Sequence, residues 1–116
     1  MLGKASEDAA AKHLRKQGLR QVSRNYACTF GEVDLIFREG DCLVFVEVRS
    51  SKAPGFGHPK YSVGPKKRRT LSKVALNYLK RHGLMNRSAR FDVVTVVHEG
   101  ESRNIEWTRN AFDLEY

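Results

Sequence analysis

Two hydrophobic runs, residues 32–38 (EVDLIFR) and 43–50 (LVFVEVRS), flank Glu39-Gly40-Asp41-Cys42. Both alternate with the two-residue period of a strand and are rich in β-branched side chains. Gly40-Asp41 suits a two-residue type II′ turn, whose first central residue needs a positive φ. Such a turn pairs Glu39 with Cys42 and thereby sets every pair beyond it. Phe37 then faces Val44, Leu35 faces Val46 and Val33 faces Val48, an apolar side that must meet a core. On the other side Ile36 opposes Phe45, Asp34 opposes Glu47 and Glu32 opposes Arg49. The hairpin commits the chain to a sheet, and the sheet carries two carboxylates set against each other.

Directly opposed like charges, with Cβ atoms about 4.5–5.5 Å apart, destabilise a strand pair. When half buried, two carboxylates share a proton or bind a cation, and one titrates above the usual value of about 4. Hard divalent ions take oxygen ligands, so the pair, completed by a third acid, describes a Mg²⁺ site. The structural alternative has Asp34 paired with an arginine of a neighbouring strand and Glu47 with a Lys or Arg across the sheet. Hairpin geometry alone does not choose between them.

Around the hairpin the pattern reads as α/β. Residues 3–17 form a helical segment closed by Gly18, with Ser6 suited to cap a slightly later start and Glu7 and Asp8 to its first turn. Glu7, Ala10, Ala11 and Leu14 share one helical face, which sets Glu7 in line with the apolar stripe, either at the edge of the core or pointing inward for a purpose. Further strands are expected at 20–27, 90–98 and 104–108, and a second helix at 66–82. Leu71, Val74, Ala75, Tyr78 and Leu79 have core-facing spacing there, and Gly83 ends it. The order αβββαββ predicts one domain over residues 1–116, a central mixed β-sheet flanked by helices.

Charge is distributed unevenly. Of the 21 Lys and Arg residues, twelve fall in residues 48–91, a segment without Asp or Glu, whereas the rest of the chain holds all 13 acids. A one-sign block of this length, in a chain of net charge +8, attracts polyanions, of which nucleic acid is the most common. Lys52, Lys60, Lys66, Lys67, Arg68 and Arg69 are the candidate phosphate contacts. The last four open the second helix, where their charge opposes the helix dipole and a bound phosphate would relieve the cost. His58 and Tyr61 accompany Phe56 in the loop between third strand and second helix, placed to stack on bases or simply to form a surface loop. Asp92 either supports the acid pair from the next strand or ends in a salt bridge. Two cysteines, Cys28 and Cys42, lack metal-ligand spacing and suit reduced thiols. No stretch has the apolar length of a membrane span and the first residues lack a signal-peptide core, so a cytoplasmic protein with no membrane partner is expected.

GEVDLI followed by LVFVEVRS, with an acidic first helix and the later strand RFDVVTVV, resembles the PD-(D/E)XK nuclease superfamily. The chain is more closely similar to the YraN-like family of small bacterial proteins, through GKASEDAAAKHLRKQG, RNY and GFGHP over nearly its whole length. That resemblance implies a restriction-endonuclease-like fold, and kinship with Holliday-junction resolvases implies structured DNA or RNA as substrate. Carried across, Asp34 and Glu47 become metal ligands and catalytic acids, Glu7 the third ligand, and Mg²⁺ or Mn²⁺ the cofactor. Arg49 takes the position of the motif lysine. A guanidinium cannot act as a general base, but it can orient a phosphate through two hydrogen bonds. Two functions follow: a metal-dependent endonuclease, or a non-catalytic nucleic-acid-binding protein of the same fold, such as an RNA or ribosome assembly factor. Resolvase relatives work as dimers, so a homodimer is compatible with the resemblance, although no interface stripe demands one.

Overall fold

The computed structural model describes residues 2–52 and 63–114. Its elements are α1 (Leu2–Lys16), β1 (Arg20–Cys28), β2 (Gly31–Glu39), β3 (Cys42–Ser51), α2 (Pro65–Arg81), β4 (Ala89–Glu99) and β5 (Ser102–Phe112), the αβββαββ order expected from the sequence. One mixed sheet takes the strands in chain order, β1-β2-β3-β4-β5. Only β3 and β4 run parallel among these neighbours. A parallel pair needs a long crossover, and α2 supplies it.

The hairpin forms in the expected register, with Glu39 opposite Cys42, Phe37 opposite Val44, Ile36 opposite Phe45 and Leu35 opposite Val46. Gly40 turns the chain at φ +59, as the first central residue of a type II′ turn requires. Alternation then sorts the side chains onto two cores. Leu35, Phe37, Val44 and Val46 meet Ala10, Ala11 and Leu14 of α1, whereas Ile36, Phe45, Phe91 and Val93 meet Leu71, Val74, Ala75, Tyr78 and Leu79 of α2. Full burial of a leucine such as Leu14 contributes about 1.5–3 kcal/mol, so each helix is held by its apolar stripe rather than by propensity.

The start of α1 differs from expectation. The helix begins at Leu2, which leaves no acid in its first turn and puts Ser6 inside the helix. Ser6 is buried and its hydroxyl bonds Ser50 Oγ at 2.5 Å, so it ties α1 to β3 instead of capping the helix. The C-terminus follows the sequence: Gly18 takes φ +96, and the Leu19 N–H returns to the Leu14 carbonyl at 3.1 Å. Cys28 and Cys42 are free. Among the described residues no helix is long and apolar enough to cross a membrane.

Candidate functional site

Glu47 and Asp34 reach one another by different routes. Glu47 follows Phe45 by one strand period, which carries it to the α2 face, where it is only 5% exposed. Asp34 arrives through a break in the pleat. Val33 should share a side with Leu35, yet it is buried with Ile36 in the α2-side core. The hairpin ladder ends at Leu35 and Val46, and Asp34 Oδ2 instead accepts the Val48 N–H at 2.8 Å. The expected facing of Val33 with Val48 is thus corrected: a side-chain carboxylate takes over the backbone donor that must be satisfied there. On the other flank Asn25, with φ +53, lies between the pairs Arg24–Leu35 and Tyr26–Val33 and so across from Asp34. Left-handed backbone at a non-glycine residue is uncommon and concentrates at functional sites.

Two cations converge on the buried acid. Arg49 Nη2 lies 3.4 Å and Lys67 Nζ 3.5 Å from the same oxygen, Glu47 Oε2. Both separations exceed a good hydrogen bond, so the contacts are chiefly coulombic. They do not fully compensate the acid. Burial first, then the hydrogen bond and the negative charge of Asp34, push the Glu47 carboxyl up to about 7, against the opposing pull of Lys67 and Arg49. Arg49 therefore partners Glu47 on its own strand, rather than Glu32 as the hairpin count suggested. Lys67 was legible in the sequence only as one of four basic residues opening α2. The signal that finds it is topological: a helix that crosses between parallel strands starts near the C-terminal end of the first, and Glu47 lies in that half of β3.

The residues fit a hard divalent cation. Mg²⁺ is commonly held by one or two carboxylates, with water and substrate phosphate completing its shell. Asp34 and Glu47 supply two such groups.

The model of the uncharacterised protein family UPF0102 matches residues 6–96, a span that includes Asp34, Glu47, Arg49 and Lys67. The chain belongs to that family. UPF0102 proteins of Syntrophus aciditrophicus (45% identity; 98% of this chain and 90% of the relative), Geobacter sulfurreducens (42%; 100% and 91%) and Persephonella marina (40%; 98% and 95%) are similar over nearly their whole lengths. A solved structure of Pyrococcus furiosus SfsA in complex with Ca²⁺ has a TM-score of 0.43 at 15% identity. It aligns with 92% of this chain, which spans 62% of that one.

Several other candidate residues of this UPF0102 chain have partners of their own. Glu7 is held by Arg24, whose Nε is 3.3 Å from Glu7 Oε1 while Nη1 is 2.6 Å from Asp8 Oδ1. This clamp joins α1 to β1, and among the described residues no three His, Cys, Asp or Glu side chains converge as a metal site. In this arrangement Glu7 is paired with Arg24. Asp92 is buried and saturated: Arg90 (3.0 and 3.2 Å), the Trp107 indole N–H (2.9 Å) and the Asn110 N–H (2.9 Å) donate to its two oxygens. Arg68 turns inward, with Nε donating to the Val63 carbonyl at 2.7 Å and its guanidinium 5.5 Å from the Phe112 ring centre. Lys52, Lys66 and Arg69 are exposed, whereas Phe56, His58, Lys60 and Tyr61 lie outside the described residues.

Proposed function

We propose that this UPF0102 protein is a metal-dependent phosphodiesterase acting on nucleic acid, with Asp34 and Glu47 as its metal-binding acids and Lys67 as the amine that Arg49 cannot replace. The observation that carries the reading is the meeting of two acids from one hairpin with two cations from different elements at Glu47.

Each group has a distinct task. Asp34 is oriented by the Val48 N–H and Glu47 by its burial, so the carboxylates are held in place before any ligand arrives. A bound Mg²⁺ or Mn²⁺ supplies charge neutralisation of the phosphate and a lowered pKa for its water. Arg49, about one third exposed, presents a planar fork to a phosphate. Lys67, about half exposed, offers a compact ammonium beside the planar guanidinium. Lys52, Lys66 and Arg69 are exposed and add positive charge that attracts a polyanion.

The test is Mg²⁺-dependent cleavage of a panel of branched, single-stranded and duplex DNA and RNA. Activity that disappears in Asp34→Asn, Glu47→Gln and Lys67→Met, with binding retained, supports the reading. Tight binding without cleavage of any substrate would leave the non-catalytic nucleic-acid-binding protein, the reading that Arg49 at the motif position favours.

A further inference from the structure

The two-residue turn between β1 and β2 exposes an aromatic ring on a fixed platform. Phe30 is 51% exposed, an uncommon place for a phenyl group. Its neighbour Gly31 takes φ +149, and a Cβ there would stand 3.1 Å from Thr70 Cγ2 and 3.6 Å from Val74 Cγ2. The turn is therefore pressed onto α2. Tyr26, just before it, bonds the Asn77 side chain of α2 at 2.5 Å. Beside Phe30 lies a groove of about 240 Å³ formed with Lys73, Leu76, Asn77 and Lys80. It shares Asn77 and Lys80 with a wider one of about 540 Å³ that reaches Arg81. Every charged residue lining either groove is basic.

A row of basic residues extends along α2. Lys66, Arg69, Lys73 and Lys80 are exposed and fall at i, i+3, i+7 and i+14 on α2, one face over roughly 21 Å at 1.5 Å per residue. Lys67 begins the same helix, about 9 Å along the axis from Lys73 by the same rise. The Lys73 ammonium stands 6.0 Å from the Phe30 ring centre. A cationic track beside an exposed, rigid aromatic is the arrangement that binds single strands, since phosphates follow the charge and a base stacks on the ring.

We infer that α2 and Phe30 form a binding track for unpaired nucleotides, so that the protein selects single-stranded or branched nucleic acid over continuous duplex. A base within a duplex cannot offer its face to Phe30 without leaving the stack. The inference rests on the nucleic-acid reading of the acid pair and adds the substrate class to it.

The experiment measures fluorescence anisotropy in EDTA, with a labelled single-stranded oligonucleotide and a blunt duplex of the same sequence. Stacking on one aromatic is worth about 1–3 kcal/mol. Phe30→Ala should weaken single-strand binding by about 5- to 150-fold and change duplex binding less than twofold, while Phe30→Tyr stays within about threefold of the wild type. Circular dichroism melting should be unchanged in both, the ring being exposed. Equal losses for strand and duplex, or no loss, would overturn the track while leaving the acid-pair reading in place. Absence of binding to any oligonucleotide would overturn both. An acidic aromatic peptide whose binding depends on Phe30, when oligonucleotide binding does not, would assign the groove to a protein partner and also overturn it.

Discussion

Lys67 Nζ and Glu47 Oε2 lie 3.5 Å apart although twenty residues and a strand-to-helix crossover separate them. The contact puts an amine beside the acid that Arg49 already accompanies. If the amine takes part in chemistry, Lys67→Met should lower Mg²⁺-dependent cleavage at least about 100-fold, the scale of one general acid–base group. Arg49→Lys should retain binding. Lys67→Met should also move the Glu47 titration further upward, since the Lys67 charge lowers it. Carbon-detected NMR of the Glu47 carboxyl, alongside cleavage rates, tests both. Unchanged cleavage in Lys67→Met would reduce the residue to a surface counter-charge.

Glu47 makes stability depend on pH. Its carboxyl titrates near 7 in the fold against an ordinary 4.5, so the folded state holds the extra proton between these values. Stability then falls as pH rises from about 4.5 to about 7, by up to about 3 kcal/mol, and the full cost is present above 7. Urea unfolding in EDTA across this window should show that decline, and Glu47→Gln should flatten it. An identical pH profile in the variant would mean that Glu47 is adequately compensated.

Asp34→Asn keeps an oxygen able to accept the Val48 N–H while removing one charge from the pair. The variant should be more stable than the wild type above pH 7 in EDTA, against the usual destabilising trend. Millimolar Mg²⁺ should raise the wild-type melting temperature, because it binds only the folded site, and leave Asp34→Asn and Glu47→Gln nearly unmoved. Thermal unfolding with and without Mg²⁺ decides. A destabilised Asp34→Asn, with no shift by Mg²⁺ in any of the three, would make the acids structural.

Asp92 serves as the contrast. Four donors converge on a carboxylate with no exposed surface, so Asp92→Ala leaves the Arg90 guanidinium without its buried partner. A loss of about 3–5 kcal/mol is expected in denaturant unfolding, and Asp92→Asn should lose less. Nucleic-acid affinity of the folded fraction should not change. A selective loss of affinity without loss of stability would place Asp92 in the site.

Salt dependence separates the basic residues at the end of β3 and the start of α2 from one another. Replacing exposed Lys52, Lys66 and Arg69 with Ala should flatten the slope of log K against log salt by about 2 for single strands, at roughly 0.7 per phosphate. Arg68→Ala should cost stability instead, through the lost Val63 bond and Phe112 contact, and alter the slope little. Equal slopes for the triple variant and the wild type would move the binding surface off this end of α2.

The hairpin register from Leu35 to Val46 and the presence of both helices were legible because each depends on local periodicity and turn chemistry. Gly40 needed only a positive φ, and the two-residue alternation of 43–50 carried Glu47 to one side without reference to the rest of the chain. Tertiary structure decided what these residues meet. At Asp34 a carboxylate takes the Val48 N–H beyond the end of the ladder, and no strand pattern encodes that exchange. Glu7 faces the core edge as its spacing indicates, yet Arg24 from β1 claims it. Four adjacent basic residues look alike in sequence, but at 100° per residue a helix sends Arg68 over Phe112, Lys67 to Glu47, and Lys66 and Arg69 to solvent. Charge and period are properties of the chain; which acid a cation reaches depends on where the crossover sets the helix down.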